Sequence, residues 1–149
     1  MTYEIDREEF VEVNGDRQNI RIRAAKKGLP VLLFVHGGPG VCDRHNVMRY
    51  HSDLAEKFTL VCWDQRGSGK SFTPAVKERV PSVGEYVEDI LFLAEYLAGR
   101  FGVRRIALVG HSWGSIIGVL AVAKRPDLFF AYVGEGQFVD GDRNEAESY

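Results

Sequence analysis

The sequence has few cysteines and no arrangement of residues that suggests a bound metal. Cys42 and Cys62 are the only cysteines among its 149 residues, and they lack the spacing of metal ligands. In a chain without a visible secretion signal, two cysteines are more often free thiols than a disulfide. We therefore expect no disulfide framework, no metal site and no cofactor.

The sequence also lacks an excess of charge of either sign and a long apolar run. Nineteen lysines and arginines stand against 21 aspartates and glutamates, mixed along the chain, for a net charge of −2. This balance predicts neither nucleic acid nor a membrane surface as a partner. The longest aliphatic run, residues 116–123, is far shorter than the roughly 20 residues of a membrane-spanning helix. Charges occupy residues 4–9, where a signal peptide would be apolar, so we expect a cytoplasmic protein.

What the sequence does contain is a set of short apolar segments that predict β-strands. Residues 10–13 and 18–23 flank Asn14-Gly15, a preferred hairpin turn, and the alternation in the second segment predicts an antiparallel edge with one solvated face. Four further runs are continuously apolar, as is typical of parallel strands covered on both faces at the centre of a sheet. They are residues 31–35, 58–63, 106–109 and 129–133.

Helices are predicted between these strands. Ser82 and Glu85 form a capping-box pattern, and apolar residues follow at helical spacing until the glycines within residues 99–102. A shorter helix is predicted within residues 47–57. The segment after Ser112 is apolar on nearly every side, so we expect it to be the most buried helix.

The order of these elements predicts the fold class. Strands that alternate with helices indicate an open, mostly parallel α/β sheet with helices on both faces, preceded by the antiparallel hairpin. Ligands bind such sheets outside the carboxyl ends of the strands. At 149 residues, length alone predicts one domain, and such a chain buries on the order of two-thirds of its unfolded surface.

The segment Gly110-His111-Ser112-Trp113-Gly114 lies directly between an apolar run and a predicted helix. This pattern, in this context, predicts a nucleophile elbow, a sharp turn that exposes a serine hydroxyl beside a base and oxyanion donors. Gly110 and Gly114 leave room where the strand and the helix cross. Ser112 is therefore the predicted nucleophile, and the alternative is a plain glycine-rich turn between strand and helix.

The segment His36-Gly37-Gly38-Pro39-Gly40 also follows a predicted strand. In serine hydrolases, a loop at this place lends one backbone N–H to the oxyanion, and the residue after the nucleophile lends another. We therefore predict the backbone N–H groups of Gly38 and Trp113 as the oxyanion donors. His36 is predicted to anchor the loop rather than to act as a base. The alternative is a turn whose glycines simply need positive φ.

A third polar cluster covers residues 64–71 and resembles a phosphate-binding loop only superficially. The required glycine spacing before Lys70 is absent, which argues against a nucleotide site. We expect Asp64 and Arg66 to brace this loop, through contact with each other or through a backbone network. His45 and His51 are expected near the surface, and His111 is not expected to reach the neighbouring hydroxyl productively.

Together, the three motifs resemble the α/β-hydrolase superfamily and, more narrowly, the proline iminopeptidase (prolyl aminopeptidase) branch of serine peptidases. The resemblance covers the chain from Phe10 onward. It implies a serine hydrolase that releases an N-terminal proline or another small residue from peptides through an acyl-enzyme on Ser112. Other residues would have structural roles at the site: His36, Gly37, Gly40, Asp64, Arg66, Gly110 and Gly114.

The chain departs from this family in one respect. The complete family fold has eight strands, a helical cap and a triad ordered serine, aspartate, histidine, whereas this chain ends after its sixth predicted strand. All four histidines lie at or before His111, so chain order offers no base. Glu135, Asp140 or Asp142 could replace the acid, as in some hydrolases, but a histidine would still be missing.

We therefore interpret residues 1–149 as the N-terminal part of a single α/β-hydrolase domain, with residues 134–149 as a polar tail that leads toward the missing cap. The expected partners are a small peptide or ester substrate and the C-terminal half of the fold, supplied by the same chain or by a second one. The isolated chain would then be inactive. The alternatives are an esterase-type hydrolase and a non-catalytic half-fold or pseudoenzyme that acts in binding or assembly.

Overall fold

The chain forms a six-stranded sheet with helices on both faces. The computed structural model describes residues 2–74 and 79–148. Its strands are β1 (Ile5–Val13), β2 (Asp16–Ala24), β3 (Val31–Val35), β4 (Thr59–Asp64), β5 (Ile106–His111) and β6 (Phe129–Glu135). They lie in the order β1-β2-β4-β3-β5-β6. β4, β3, β5 and β6 run parallel and β1 and β2 pair antiparallel, which confirms the predicted α/β sheet.

The helices in the described part of the chain differ widely in length. They are α1 (Arg44–Tyr50), α2 (Leu54–Lys57), α3 (Val83–Phe101), α4 (Trp113–Lys124) and α5 (Gly141–Ser148). The one helix predicted within residues 47–57 is therefore two short helices. In the ranges that the structure describes, no helix is both long and apolar enough to cross a membrane.

The hairpin and α3 have the ends that the sequence predicts. Asn14 and Gly15 both have positive φ, 47° and 79°, as a two-residue turn between twisted strands requires. The Ser82 side chain accepts a hydrogen bond from the Glu85 backbone, and the helix ends at Gly102 in the left-handed conformation. Gly99 lies inside the helix rather than at its end.

The core lies on both faces of the central strands. Every residue of β3 and β4 is buried. One face packs against α3 and α4, and the opposite face packs against Val47 and Met48 of α1 and Ala55 of α2. The continuous apolar runs of these strands follow from this cover on both faces.

β6 and α4 both carry exposed apolar residues. β6 lies at the edge of the sheet, and Phe130 and Val133 are 44% and 56% exposed. Val119 and Leu120 of α4 are 41% and 44% exposed, so α4 is not the most buried helix. The prediction that α4 is the most buried helix is therefore wrong, and β6 lies at the edge of the sheet rather than at its covered centre. The exposed apolar edge of β6 is the one expected of a sheet that ends at residues 129–133. An apolar pattern shows which residues favour burial. It does not show which of them are buried in the folded chain.

The segment predicted as a polar tail contains regular structure. Its first two residues, Gly134 and Glu135, complete β6, and α5 follows after a short connection. α5 carries no apolar face, which explains why helical periodicity does not reveal it. Tyr149 lies outside the described residues.

We expect the 149-residue chain to self-associate, because an exposed apolar strand edge can pair with another chain. Light scattering measures association, and hydrogen exchange at residues 130–133 measures protection of the edge. Val133→Lys should reduce association, since a charge on an edge strand opposes pairing. Tyr50→Lys, a change at a residue of α1 that is 68% exposed, should not. A monodisperse monomer with protected edge amides would contradict this expectation.

Candidate active site

The three predicted loops meet at the carboxyl ends of the parallel strands. Val35, the last residue of β3, pairs with Trp63 of β4 and with Gly110 of β5. These strands are parallel, so their carboxyl ends and the loops that follow them lie side by side. This arrangement therefore brings together residues 36–40, 64–71 and 110–114.

Ser112 is the single residue between β5 and α4. Its φ is 51° and its ψ is −117°, a disfavoured backbone conformation for a residue with a side chain. The Ser112 N–H donates to the carbonyl of Glu135 at 2.8 Å, and its own carbonyl accepts from the Ser115 hydroxyl at 2.6 Å. Ser112 itself is exposed. The turn thus holds a serine at the open edge of the sheet, in the backbone conformation that the sequence predicts.

Gly110 and Gly114 are required by close backbone contacts. A Cβ at Gly114 would lie 2.7 Å from the carbonyl oxygen of His36, and closer still to that of Val35. A Cβ at Gly110 would lie 2.9 Å from the Cα of Ser115. Real Cβ atoms essentially never approach other atoms this closely, so the start of α4 can pack against β3 and β5 only with glycine at both positions.

The glycine-rich loop after β3 lies against this turn. A Cβ at Gly37 would lie 3.2 Å from the Cβ of Ser112. Gly38 and Gly40 have φ of 118° and 89°, and a Cβ at Gly38 would lie 2.6 Å from the Gly40 nitrogen. The positive φ angles that the alternative interpretation requires, in which the loop is simply a glycine turn, are therefore present. The role of the Gly38 N–H as an oxyanion donor stays a prediction.

His36 anchors the base of this loop, as predicted. It is 2% exposed, and its Nε2 accepts from the backbone N–H of Gln65 at 3.2 Å and lies 3.1 Å from the Ser68 hydroxyl. The proton therefore belongs on Nδ1, which donates to the carbonyl of Gly37 at 2.8 Å. Burial lowers the pKa of His36, and the hydrogen bond to Gly37 and the nearby charge of Asp64 oppose part of this effect. His36 is thus a neutral structural residue.

Asp64 and Arg66 brace their loop, but through different partners. Asp64 is fully buried, forms an ion pair with Arg44 at 3.1 Å and accepts from the backbone N–H of Lys70 at 2.8 Å. Arg66 instead binds Asp89 with two hydrogen bonds of 3.0 and 2.9 Å. The predicted contact between Asp64 and Arg66 is therefore wrong, and the predicted backbone network is present. β4 ends at Asp64, which points toward α1, and the chain then turns so that Arg66 reaches α3.

Asp89 is a buried residue that the sequence analysis missed. Its carboxylate is fully buried in α3 and accepts from Asn14 at 2.9 Å, from Gln18 at 2.8 Å and from both arms of Arg66. A buried carboxylate needs such partners. Its place one residue before the buried Ile90, within the apolar pattern of α3, is the signal that could have revealed it.

The remaining candidate residues lie around this edge without forming a catalytic set. His45 and His51 are exposed, as predicted. The Nδ1 atom of His111 lies 3.6 Å from a carboxylate oxygen of Asp43, beyond hydrogen-bonding distance. The three carboxylates proposed as a substitute acid lie beyond Ser112 in the chain and are all exposed: Glu135, Asp140 and Asp142.

Both cysteines are free thiols, as expected. Cys42 donates to Asp64 at 2.8 Å, and burial together with this hydrogen bond raises its pKa to about 11. Burial also raises the pKa of Cys62. Both thiols are therefore protonated at neutral pH. In the described ranges, no three histidine, cysteine or carboxylate side chains are arranged to hold a metal ion.

Gly114→Ala should lower the free energy of unfolding by about 3 kcal/mol or more, because its methyl group would overlap two backbone carbonyls. Gly99→Ala is the matched control, since a Cβ at this exposed position of α3 meets nothing within 4 Å. The control should stabilise the protein by roughly 0.5–1 kcal/mol through helix propensity. Denaturant titration measures both. Equal effects of the two substitutions would contradict the close contact at Gly114.

His36 should make stability depend on pH. Because folding lowers its pKa, protonation favours the unfolded chain, so its contribution is complete above pH 6.5 and is lost as the pH falls below that value. One such proton changes the free energy of unfolding by up to about 1.4 kcal/mol per pH unit. His36→Gln should remove this part of the slope in denaturant titrations, and His45→Gln should retain it. An unchanged slope in His36→Gln would show that His36 is not held neutral.

Comparison with known proteins is consistent with this geometry. A family model described as alpha/beta hydrolase fold matches residues 30–146. The curated relative Probable aminopeptidase YbaC of Bacillus subtilis is 34% identical over 139 residues, which cover 93% of this chain and 44% of the relative.

Solved structures show the same fold. A proline iminopeptidase-related protein of Thermus thermophilus matches with a TM-score of 0.72 and 28% identity over 90% of this chain and 44% of its own. An epoxide hydrolase of Vigna radiata matches with a TM-score of 0.67 and 30% identity. The match covers 90% of this chain and 41% of the epoxide hydrolase chain. The chain spans less than half the length of each of these three proteins. The motif resemblance is confirmed, and the chain belongs to the α/β-hydrolase fold family.

Proposed function

We propose that the whole protein is a serine hydrolase whose nucleophile is Ser112. The observation that carries the proposal is the disfavoured backbone of this exposed residue, φ 51°, between β5 and α4. A protein retains such strain where the surrounding structure fixes it, and strain of this kind clusters at active sites. In the proposed reaction, the Ser112 Oγ attacks a substrate carbonyl and its proton passes to a base. The base returns that proton to the leaving group as the leaving group departs, and water then hydrolyses the acyl-enzyme that remains.

The charge on the attacked carbonyl oxygen would be stabilised by two backbone N–H groups. Trp113 is the first residue of α4, so its N–H points away from the helix and has no partner within it. The positive end of the helix dipole adds to the attraction for an anion. Gly38 is the proposed second donor, from the loop that lies against Ser112.

The base and the acid of the triad are proposed to come from residues beyond these 149, in the same polypeptide or in a second chain. His36 is buried and neutral, and it holds the loop rather than Ser112. His45 and His51 are exposed on and just after α1. Without its base, a triad serine typically loses about a millionfold in turnover. The isolated chain is therefore proposed to be inactive.

The proposed substrate is a peptide with an N-terminal proline or another small residue. The names of the Bacillus and Thermus proteins support a peptidase. The epoxide hydrolase with the same fold shows that the architecture serves other chemistry, because function resides in the site and not in the fold. The position of the four histidines favours a second candidate, a non-catalytic half-fold that acts in binding or assembly.

Ser112→Ala in the complete polypeptide should abolish both turnover and covalent labelling by a fluorophosphonate, because both require the Ser112 hydroxyl. Ser52→Ala, a change between α1 and α2, is the control and should retain both. Mass spectrometry locates the label, and a fluorogenic assay measures turnover. Hydrolysis that persists in Ser112→Ala would refute the serine mechanism. A complete polypeptide that is folded but takes up no label would favour the non-catalytic candidate.

Substrate preference separates the peptidase from the esterase. The complete polypeptide should hydrolyse a proline β-naphthylamide with a higher kcat/KM than short-chain p-nitrophenyl esters. The reverse order, with both activities lost in Ser112→Ala, would place the protein among esterases while leaving the nucleophile unchanged.

A further inference from the structure

Gln65 joins the two segments that carry the proposed oxyanion donors. This residue follows β4 directly and is 1% exposed. Its side-chain Nε2 donates to the carbonyl oxygen of His36 at 2.7 Å. Its Oε1 accepts from the indole Nε1 of Trp113 at 3.1 Å. One side-chain amide therefore binds the base of the glycine-rich loop and the first residue of α4 at once.

The backbone of Gln65 is itself held in place. Its N–H donates to the imidazole of His36 at 3.2 Å, and its carbonyl accepts from the backbone and the hydroxyl of Ser68 at 2.9 and 2.8 Å. The side chain thus projects from a fixed point. A buried amide that is hydrogen-bonded through both its nitrogen and its oxygen has little freedom to shift.

Steric contact and hydrogen bonding act in opposite directions between the two segments. The start of α4 cannot move closer to β3, because the Cα of Gly114 already leaves no room for a Cβ beside the carbonyl of His36. The amide of Gln65 keeps them from moving apart, since it binds that same carbonyl on one side and Trp113 on the other. The separation of the segments is therefore bounded from both sides.

We infer that Gln65 is a positioning residue that sets the distance between the Gly38 and Trp113 N–H groups. The inference rests on the proposed function, in which both groups bind the oxyanion. Oxyanion stabilisation requires donors within about 3 Å of where the charge develops. A misplacement of roughly 1 Å can lower the rate by about 10²-fold.

The chain offers a matched control of the same chemistry. Gln18 is fully buried, and its Oε1 accepts from the indole Nε1 of Trp63 at 2.7 Å while its Nε2 donates to Asp89 at 2.8 Å. This second glutamine–tryptophan pair holds the hairpin to β4 and α3. In the described part of the chain, neither of its side chains hydrogen-bonds to residues 36–40 or 110–114. Gln65→Met and Gln18→Met each replace the amide by an apolar side chain of similar length.

In the complete polypeptide, Gln65→Met should lower kcat by about 10²-fold with a smaller change in KM, because the transition state depends most on the two donors. Gln18→Met should destabilise the protein but keep kcat per folded molecule. ¹⁵N–¹H spectra, with indole signals assigned by Trp63→Phe and Trp113→Phe, should show the Trp113 signal shifted only in Gln65→Met and the Trp63 signal shifted only in Gln18→Met.

Gln65→Glu adds a second test that does not depend on full removal of the amide. The ionised carboxylate can still accept from Trp113 but cannot donate to His36, whereas the protonated form can do both. The kcat of this variant relative to wild type should therefore rise as the pH is lowered. A merely structural loss would give a constant ratio.

Three results would overturn the inference. One is an unchanged kcat in Gln65→Met although the Trp113 indole signal has shifted. Another is an equal loss of kcat in both methionine variants, which would indicate general loosening. The third is a Trp113 indole signal that does not respond to Gln65→Met. Activity that survives Ser112→Ala would instead refute the proposed function, so the two failures are distinguishable.

Discussion

The contact between the end of β3 and the start of α4 places the main parts of the candidate site. A Cβ on Gly114 would lie 2.7 Å from the carbonyl of His36, so two backbones meet there without a side chain between them. This approach brings the glycine-rich loop against Ser112 and leaves that residue alone in the turn. Packing at this distance tolerates no added atom, because protein interiors are already close to the density of crystals.

Local features were predictable from the sequence, whereas long-range pairs were not. β3 has the bounds that its apolar run predicts, and Asn14-Gly15 forms the expected turn. Both features depend only on residues that are neighbours in the sequence. Asn14 and Asp89 are 75 positions apart and Gln65 and Trp113 are 48 apart, so no spacing or periodicity links them. The ion pair of Asp64 with Arg44, 20 positions away, was not predicted for the same reason.

The exposure of β6 and α4 shows a different limit of sequence patterns. Phe130 and Leu120 have the composition of covered segments and are each 44% exposed. Their apolar pattern therefore describes a preference for burial and not a contact. Exposed apolar patches are, in general, surfaces that favour contact with other chains.

The hydrogen bond from the Ser112 N–H to the Glu135 carbonyl couples β6 mechanically to the turn that contains Ser112. Glu135 ends β6, the outermost strand of the sheet, and Ser112 occupies the turn beside it. Fraying of β6 therefore pulls directly on the backbone of the turn at Ser112. Whatever restrains the outer strand therefore also restrains the backbone conformation of Ser112.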